Sequence, residues 1–103
     1  VVAVPVKDTI KLSQKKSGTV FVKKTLNRDN LWEIQTPQTF KANILKKAHE
    51  YCRKNKIFAT DDASLAEKIG QKVKITLGHY DNLKITTPDD LIIAKQILKK
   101  NGY

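Results

Sequence analysis

Asn27-Arg28-Asp29-Asn30-Leu31-Trp32-Glu33-Ile34-Gln35-Thr36-Pro37-Gln38-Thr39-Phe40 holds the only Trp of the chain and one of its two Arg. Asn27 to Asn30 reads as a turn, and Leu31 to Gln35 as a short extended segment. Pro37 breaks the chain before a helix. A residue that precedes proline is pushed toward extended backbone, which sets Thr36 and its hydroxyl at a strand end. Open α/β sheets bind ligands at strand ends. The plainer reading makes Trp32 a core residue and Arg28 a solvated turn residue.

Upstream, Val1 to Val6 is a short run rich in β-branched residues, as expected of a strand buried on both faces. It lacks a basic leader region and is too short for a signal peptide. A sequence that opens inside a strand is expected to be part of something longer. Lys7 to Leu12 continues in extended form, Ser13 to Gly18 reads as a polar loop, and Thr19 to Leu26 returns as a strand. Residues 8 to 27 thus form a basic β-hairpin arm. Two strands alone are marginal in water, so the arm is expected to lean on a partner.

Downstream, Ile44, Leu45, Ala48, Tyr51 and Cys52 make one stripe of an amphipathic helix over Lys41 to Asn55. Thr60-Asp61-Asp62-Ala63 opens a second helix that ends at Gly70, with Thr60 or Asp61 as its cap. Lys72 to Leu77 alternates as a strand should, with Val73, Ile75 and Leu77 inward. Gly78 to Asn82 is a polar turn and Leu83 to Thr86 a brief extended piece. Thr87-Pro88-Asp89-Asp90 starts a third helix, whose predicted buried stripe is Leu91, Ala94, Ile97 and Leu98. Alternating strands and helices place the chain in the α/β class.

The chain has 103 residues, enough for one domain, and a formal charge of +10. Such an excess attracts nucleic acid, acidic membrane surfaces or phosphorylated small molecules. Nearly all the positive charge is Lys, spread along the chain without the clustered Arg and aromatics of a nucleic-acid surface. No run approaches the ~20 apolar residues of a membrane span. The single Cys52, on an apolar stripe, excludes an internal disulfide and a Cys-based zinc cluster and reads as an inert buried thiol. His49 has no second ligand at helical spacing. No phosphate-cradling glycine loop and no Ser/His/Asp constellation is present.

What remains is a set of polar residues at element ends: Thr9, Arg28, Thr36, Thr60 and Lys84. Each alone is explained as a cap, a turn residue or a solvated charge. Together, two cations and three hydroxyls suit a phosphate monoester that also carries hydroxyls. Arg grips phosphate through paired N–H donors, Lys adds a point charge, and Thr hydroxyls bond to oxygens.

Four motifs in register carry a resemblance: Pro5 to Lys11, Asn27 to Trp32 with Gln35 to Phe40, Thr60 to Ala63, and Asn82 to Thr86 with Pro88 to Leu91. In these the chain resembles the C-terminal half of 2-C-methyl-D-erythritol 4-phosphate cytidylyltransferases, over essentially its whole length. The resemblance implies part of a Rossmann-like nucleotidyltransferase sheet with a protruding hairpin arm. It implies a homodimer with interlocking arms, and transfer of a cytidylyl group from CTP to the methylerythritol phosphate with Mg²⁺ in non-mevalonate isoprenoid biosynthesis. It implies that Arg28 and Lys84 position the attacking phosphate. Thr9 and Arg28 would reach the partner's site from the arm, while Thr36, Thr60 and Lys84 serve their own subunit. The family's Gly-rich CTP loop and Mg²⁺-holding aspartate belong to an N-terminal half absent here, so this chain alone is expected to be inactive. Asn27 stands where an Asp often precedes the Arg. The resemblance implies a cytoplasmic protein if the chain is bacterial and a plastid one if it comes from a plant or alga. The alternatives are a ribitol-5-phosphate cytidylyltransferase, a small basic nucleic-acid-binding module and a dimerisation fragment without activity.

Overall fold

A computed structural model describes residues 1–103. Strand β1 (Val2–Pro5) is the middle of a three-stranded mixed sheet, between β4 (Trp32–Ile34), antiparallel, and β5 (Thr76–Leu77), parallel. Ile34 and Leu77 both stand opposite Ala3, so β4 and β5 leave the sheet at one level.

Helix α1 (Ala42–Lys54) packs against α2 (Asp62–Lys68). Ala48 and Cys52 of α1 and Ala63 and Ala66 of α2 are buried, and with Ala3 and Val4 of β1 they make up the whole core. Small side chains let the two helices approach closely. Cys52 is a free buried thiol, as its place on the apolar stripe led us to expect. His49 Nε2 lies 3.4 Å from Asp62 Oδ1 and ties the helices at the surface. Gly70, with φ +76°, ends the α2 segment in the left-handed region that glycine adopts without steric cost.

Several expectations are corrected. Strands β2 (Lys11–Lys16) and β3 (Thr19–Thr25) form a sheet of their own, joined by Ser17 and Gly18, both at positive φ. The polar loop expected over residues 13 to 18 is therefore a two-residue turn, and Ser13 to Lys16 pair with β3 through a register shift at Leu12/Ser13. Every residue of both strands is exposed. A strand with no buried face has no alternation to betray it. Lys7 to Ile10 bends instead of running as a strand, and Leu83 to Thr86 pairs with nothing. Of the strand expected over Lys72 to Leu77 only Thr76 and Leu77 pair, and Leu77 is 72% exposed. Trp32 is 37% exposed and not a core residue.

Helix α3 (Pro88–Lys100) begins as predicted, with a capping box between Thr87 and Asp90 and Pro88 in its first turn. Hydrogen bonds from the Thr86 backbone and hydroxyl, then from Thr87, hold the Asp90 carboxyl below its ordinary pKa. Its expected buried stripe is not buried: Leu91 and Leu98 are about half exposed, and no residue of α3 is fully covered. The accessible surface is 8561 Å², against roughly 5,900 Å² for a compact chain of this mass. The radius of gyration is 17.4 Å, where ~13 Å is usual for this length. The sheet edges, the hairpin and α3 all present apolar area that needs cover.

Candidate functional site

Three segments from separate parts of the chain line a cleft of about 490 Å³. The first is the end of β4 and its continuation, Glu33 to Gln38. The second is the start of α2, Thr60 and Asp61. The third is the loop after β5, Tyr80 to Lys84. Thr36, Thr60 and Lys84, three of the five residues singled out in the sequence, line this one cleft. Lys84 is the only cation among its lining residues, which also include Glu33 and Asp61.

The α2 wall is set by Asp61. Its Oδ1 accepts the Ser64 amide at 2.8 Å and the Ser64 hydroxyl at 2.6 Å, capping the helix. Thr60 Oγ1 stands 3.4 Å from the same Ser64 hydroxyl. The Ser64 hydroxyl first, then its amide and the Gln38 amide, hold the Asp61 carboxyl below its ordinary pKa against the opposing effect of burial. Asp61 is thus engaged in structure at neutral pH, while Thr36, Thr60 and Lys84 line the cleft as polar groups suited to a ligand. The loop wall is fixed by Asn82, whose amide donates to the Thr36 carbonyl at 2.7 Å. Tyr80 donates its hydroxyl to the Pro5 carbonyl at 2.7 Å and takes the Lys7 ammonium over its ring at 4.1 Å.

Thr9 and Arg28 do not line the cleft. Thr9 is exposed at the base of the hairpin, and Arg28 opens a 3-10 turn (Arg28–Asn30) that follows it. The Arg28 guanidinium donates to the Lys7 carbonyl, which binds the two ends of the hairpin together. Sequence reasoning names none of Gln35, Gln38, Tyr80 and Asn82 as a site residue, although Gln35, Gln38 and Asn82 lie within the family motifs. Two of them, the glutamines flanking Thr36-Pro37, could have been found as polar residues beside a predicted strand end. A second concavity of about 570 Å³ runs along Ala42 to Arg53 of α1. It is lined by one helix stripe and lacks polar groups converging from separate segments, so the smaller cleft is the better site.

No three His, Cys, Asp or Glu side chains come together as a metal cage. Glu33 and Asp61 share the cleft, but Asp61 is consumed as a helix cap. These residues do not fit a Mg²⁺ site. No helix is long and apolar enough to cross a membrane.

Residues 1–100 match the family model of 2-C-methyl-D-erythritol 4-phosphate cytidylyltransferase. The enzyme of that name from Bacillus pumilus is 51% identical over 105 residues, covering 100% of this chain and 44% of its own length. That from Clostridioides difficile is 52% identical over 98 residues, covering 95% and 40%. The crystal structure of 4-diphosphocytidyl-2C-methyl-D-erythritol synthase from Anaerococcus prevotii superposes with a TM-score of 0.83 at 36% identity, over 96% of this chain and 43% of that one. The Francisella tularensis cytidylyltransferase gives 0.79 at 37% identity, over 94% and 44%. The chain therefore spans about two-fifths of the length of these relatives. Over that span, sequence and mixed α/β fold agree: the chain belongs to the 2-C-methyl-D-erythritol 4-phosphate cytidylyltransferase family.

Proposed function

We propose that this chain supplies the polyol-phosphate side of a cytidylyltransferase active site. In the reaction, a phosphate oxygen of 2-C-methyl-D-erythritol 4-phosphate attacks the α-phosphorus of CTP. A new P–O bond forms, the α–β anhydride breaks, and pyrophosphate leaves. The observation that carries the reading is the convergence of Thr36, Thr60 and Lys84 on one cleft from three separate segments. Lys84 holds the attacking phosphate, and the Thr36 and Thr60 hydroxyls bond to the substrate's oxygens. Two anions must meet in line, so fixed cations both offset the repulsion and set the geometry.

One lining ammonium in the company of two carboxylates is too little positive charge for a phosphate dianion. The deficit fits a second cation delivered from outside the cleft. In our reading Arg28, with Thr9, is carried by the hairpin arm into the site of a partner subunit, and the partner returns the same pair. The exposed hairpin, with Val20, Phe21 and Val22 uncovered, then finds its cover in a homodimer. We read the chain as the C-terminal half of the enzyme, because no glycine-rich loop suited to a triphosphate occurs in it. CTP and Mg²⁺ are then held by the complementary half, which also covers α3 and the open sheet edges.

Turnover by the full-length polypeptide, with CTP and each of two polyol phosphates, tests the substrate. The methylerythritol phosphate is expected to give pyrophosphate release at least ~10-fold faster in kcat/KM than ribitol 5-phosphate, since a cleft shaped for one polyol loses contacts with another. The reverse ranking would transfer the assignment to the ribitol enzyme.

A further inference from the structure

Thr36 and Pro37 are flanked by two glutamines, and each reaches a different wall of the cleft. Gln35 donates from Nε2 to the His79 carbonyl at 2.9 Å, and its Oε1 accepts from Asn82 Nδ2 at 3.3 Å. Gln38 donates from Nε2 to Asp61 Oδ2 at 3.1 Å, and its Oε1 accepts the Ala63 amide at 3.1 Å. Gln35 therefore grips the loop that carries Lys84, and Gln38 grips the helix start that carries Thr60. Both use the donor and acceptor ends of one carboxamide, which neither a carboxylate nor a hydrocarbon can reproduce. Gly78 gives a second sign that the Gln35 contact is built in. A Cβ at that position would run into Gln35 Oε1 and Val2 Cγ1.

We infer that Gln35 and Gln38 are positioning residues that hold the three substrate-facing segments in register, Gln35 acting on Lys84 and Gln38 on Thr60. The inference rests on the reading of this cleft as the polyol-phosphate site. Both carboxamides line the cleft with their nitrogen and oxygen already bonded within the protein. A hydroxyl and an ammonium on separate segments serve one small substrate only if their spacing is held, and the sheet does not hold it. Thr60 and Lys84 lie outside every strand, and what joins their segments to Thr36 is the Gln35 and Gln38 amides together with the Asn82 amide on the Thr36 carbonyl.

The test is a set of double-mutant cycles in the full-length polypeptide: Q35A, Q38A, T60A, K84A and the four pairs that join a glutamine to Thr60 or Lys84. Each glutamine variant is expected to lower kcat/KM about 10- to 100-fold, the scale of a misplacement near 1 Å. The KM for the polyol phosphate should rise while that for CTP stays, a split that general loss of folding does not produce. Q38A with T60A, and Q35A with K84A, should be no worse than the more damaged single variant, while the crossed pairs multiply. Multiplication in all four pairs, or equal coupling of both glutamines to both partners, would overturn the inference. If the wild-type polypeptide turns nothing over, the substrate reading fails, and amide exchange still decides the positioning claim. Q38A should expose the Ala63 and Ser64 amides alone, and Q35A those of Asn82 and Leu83 alone. Uniform loosening by either variant, or none, would contradict it.

Discussion

Lys84→Ala in the full-length enzyme is expected to lower kcat/KM for the methylerythritol phosphate about 10³-fold, the cost of removing a fixed positive group aimed at charge in the transition state. The magnitude follows from isolation. Lys84 is the only cation lining the cleft, and Glu33 and Asp61 share the walls with it. Without Lys84 the cleft presents a phosphate dianion with net negative charge, so both binding and alignment suffer. Lys84→Arg keeps the charge but exchanges a compact ammonium for a wider planar group, and it should recover only part of the loss. Steady-state kinetics with saturating CTP gives the comparison. An effect on kcat/KM below ~10-fold would place the phosphate elsewhere, because a lone ammonium that matters this little is a solvated surface charge.

Arg28→Ala should be comparably damaging, yet the two defects should cancel when the variants share a dimer. The structure keeps Arg28 at the hairpin base, outside the cleft that holds Lys84. If the arm crosses to the partner, each site takes Lys84 from one chain and Arg28 from the other. A dimer of one R28A chain and one K84A chain then has one doubly damaged site and one intact site. Random reassortment makes half the dimers mixed, so two nearly inactive preparations should recover about a quarter of wild-type activity. Assay of pyrophosphate release after unfolding and refolding the mixture reads this directly. If Arg28 acts in its own subunit, no site in the mixed dimer is intact and activity stays at the level of the separate variants.

The parts of the fold legible in the sequence are those governed by local rules. The α1 stripe put Ala48 and Cys52 inward because a 3.6-residue period needs only one partner face. The Thr87 to Asp90 signal set the start of α3 because a capping box is closed within four residues. Elements that depend on a neighbour were misjudged. Lys72 to Leu77 alternates well, but a strand needs a partner along its length, and β1 offers pairing only to Thr76 and Leu77. The stripe on α3 is apolar in sequence and uncovered in space. Ser13 to Lys16 looked like loop because an exposed hairpin strand carries polar residues on both faces.

The site divides in the same way. Thr36, Thr60 and Lys84 could be named from their positions at element ends and from the family motifs, and the fold brings them to one cleft. The glutamines could be noticed as polar residues beside the strand end, but the roles of Gln35, Gln38 and Asn82 could not be read, since a side-chain amide leaves no periodic trace and its partners appear only when distant segments meet. Gln35 and Asn82 are 47 residues apart in the chain. Their bond is a product of the three-stranded sheet, which brings the ends of β4 and β5 to the level of Ala3.

The claim that this chain is the polyol-phosphate half of a two-part active site is tested most directly by pyrophosphate release from CTP and methylerythritol phosphate. The assay is run on this chain alone and after refolding with a complementary N-terminal half. The account predicts no turnover from the chain alone and turnover from the mixture. Turnover by the 103 residues alone, or none from a mixture shown to be folded and dimeric, would contradict it.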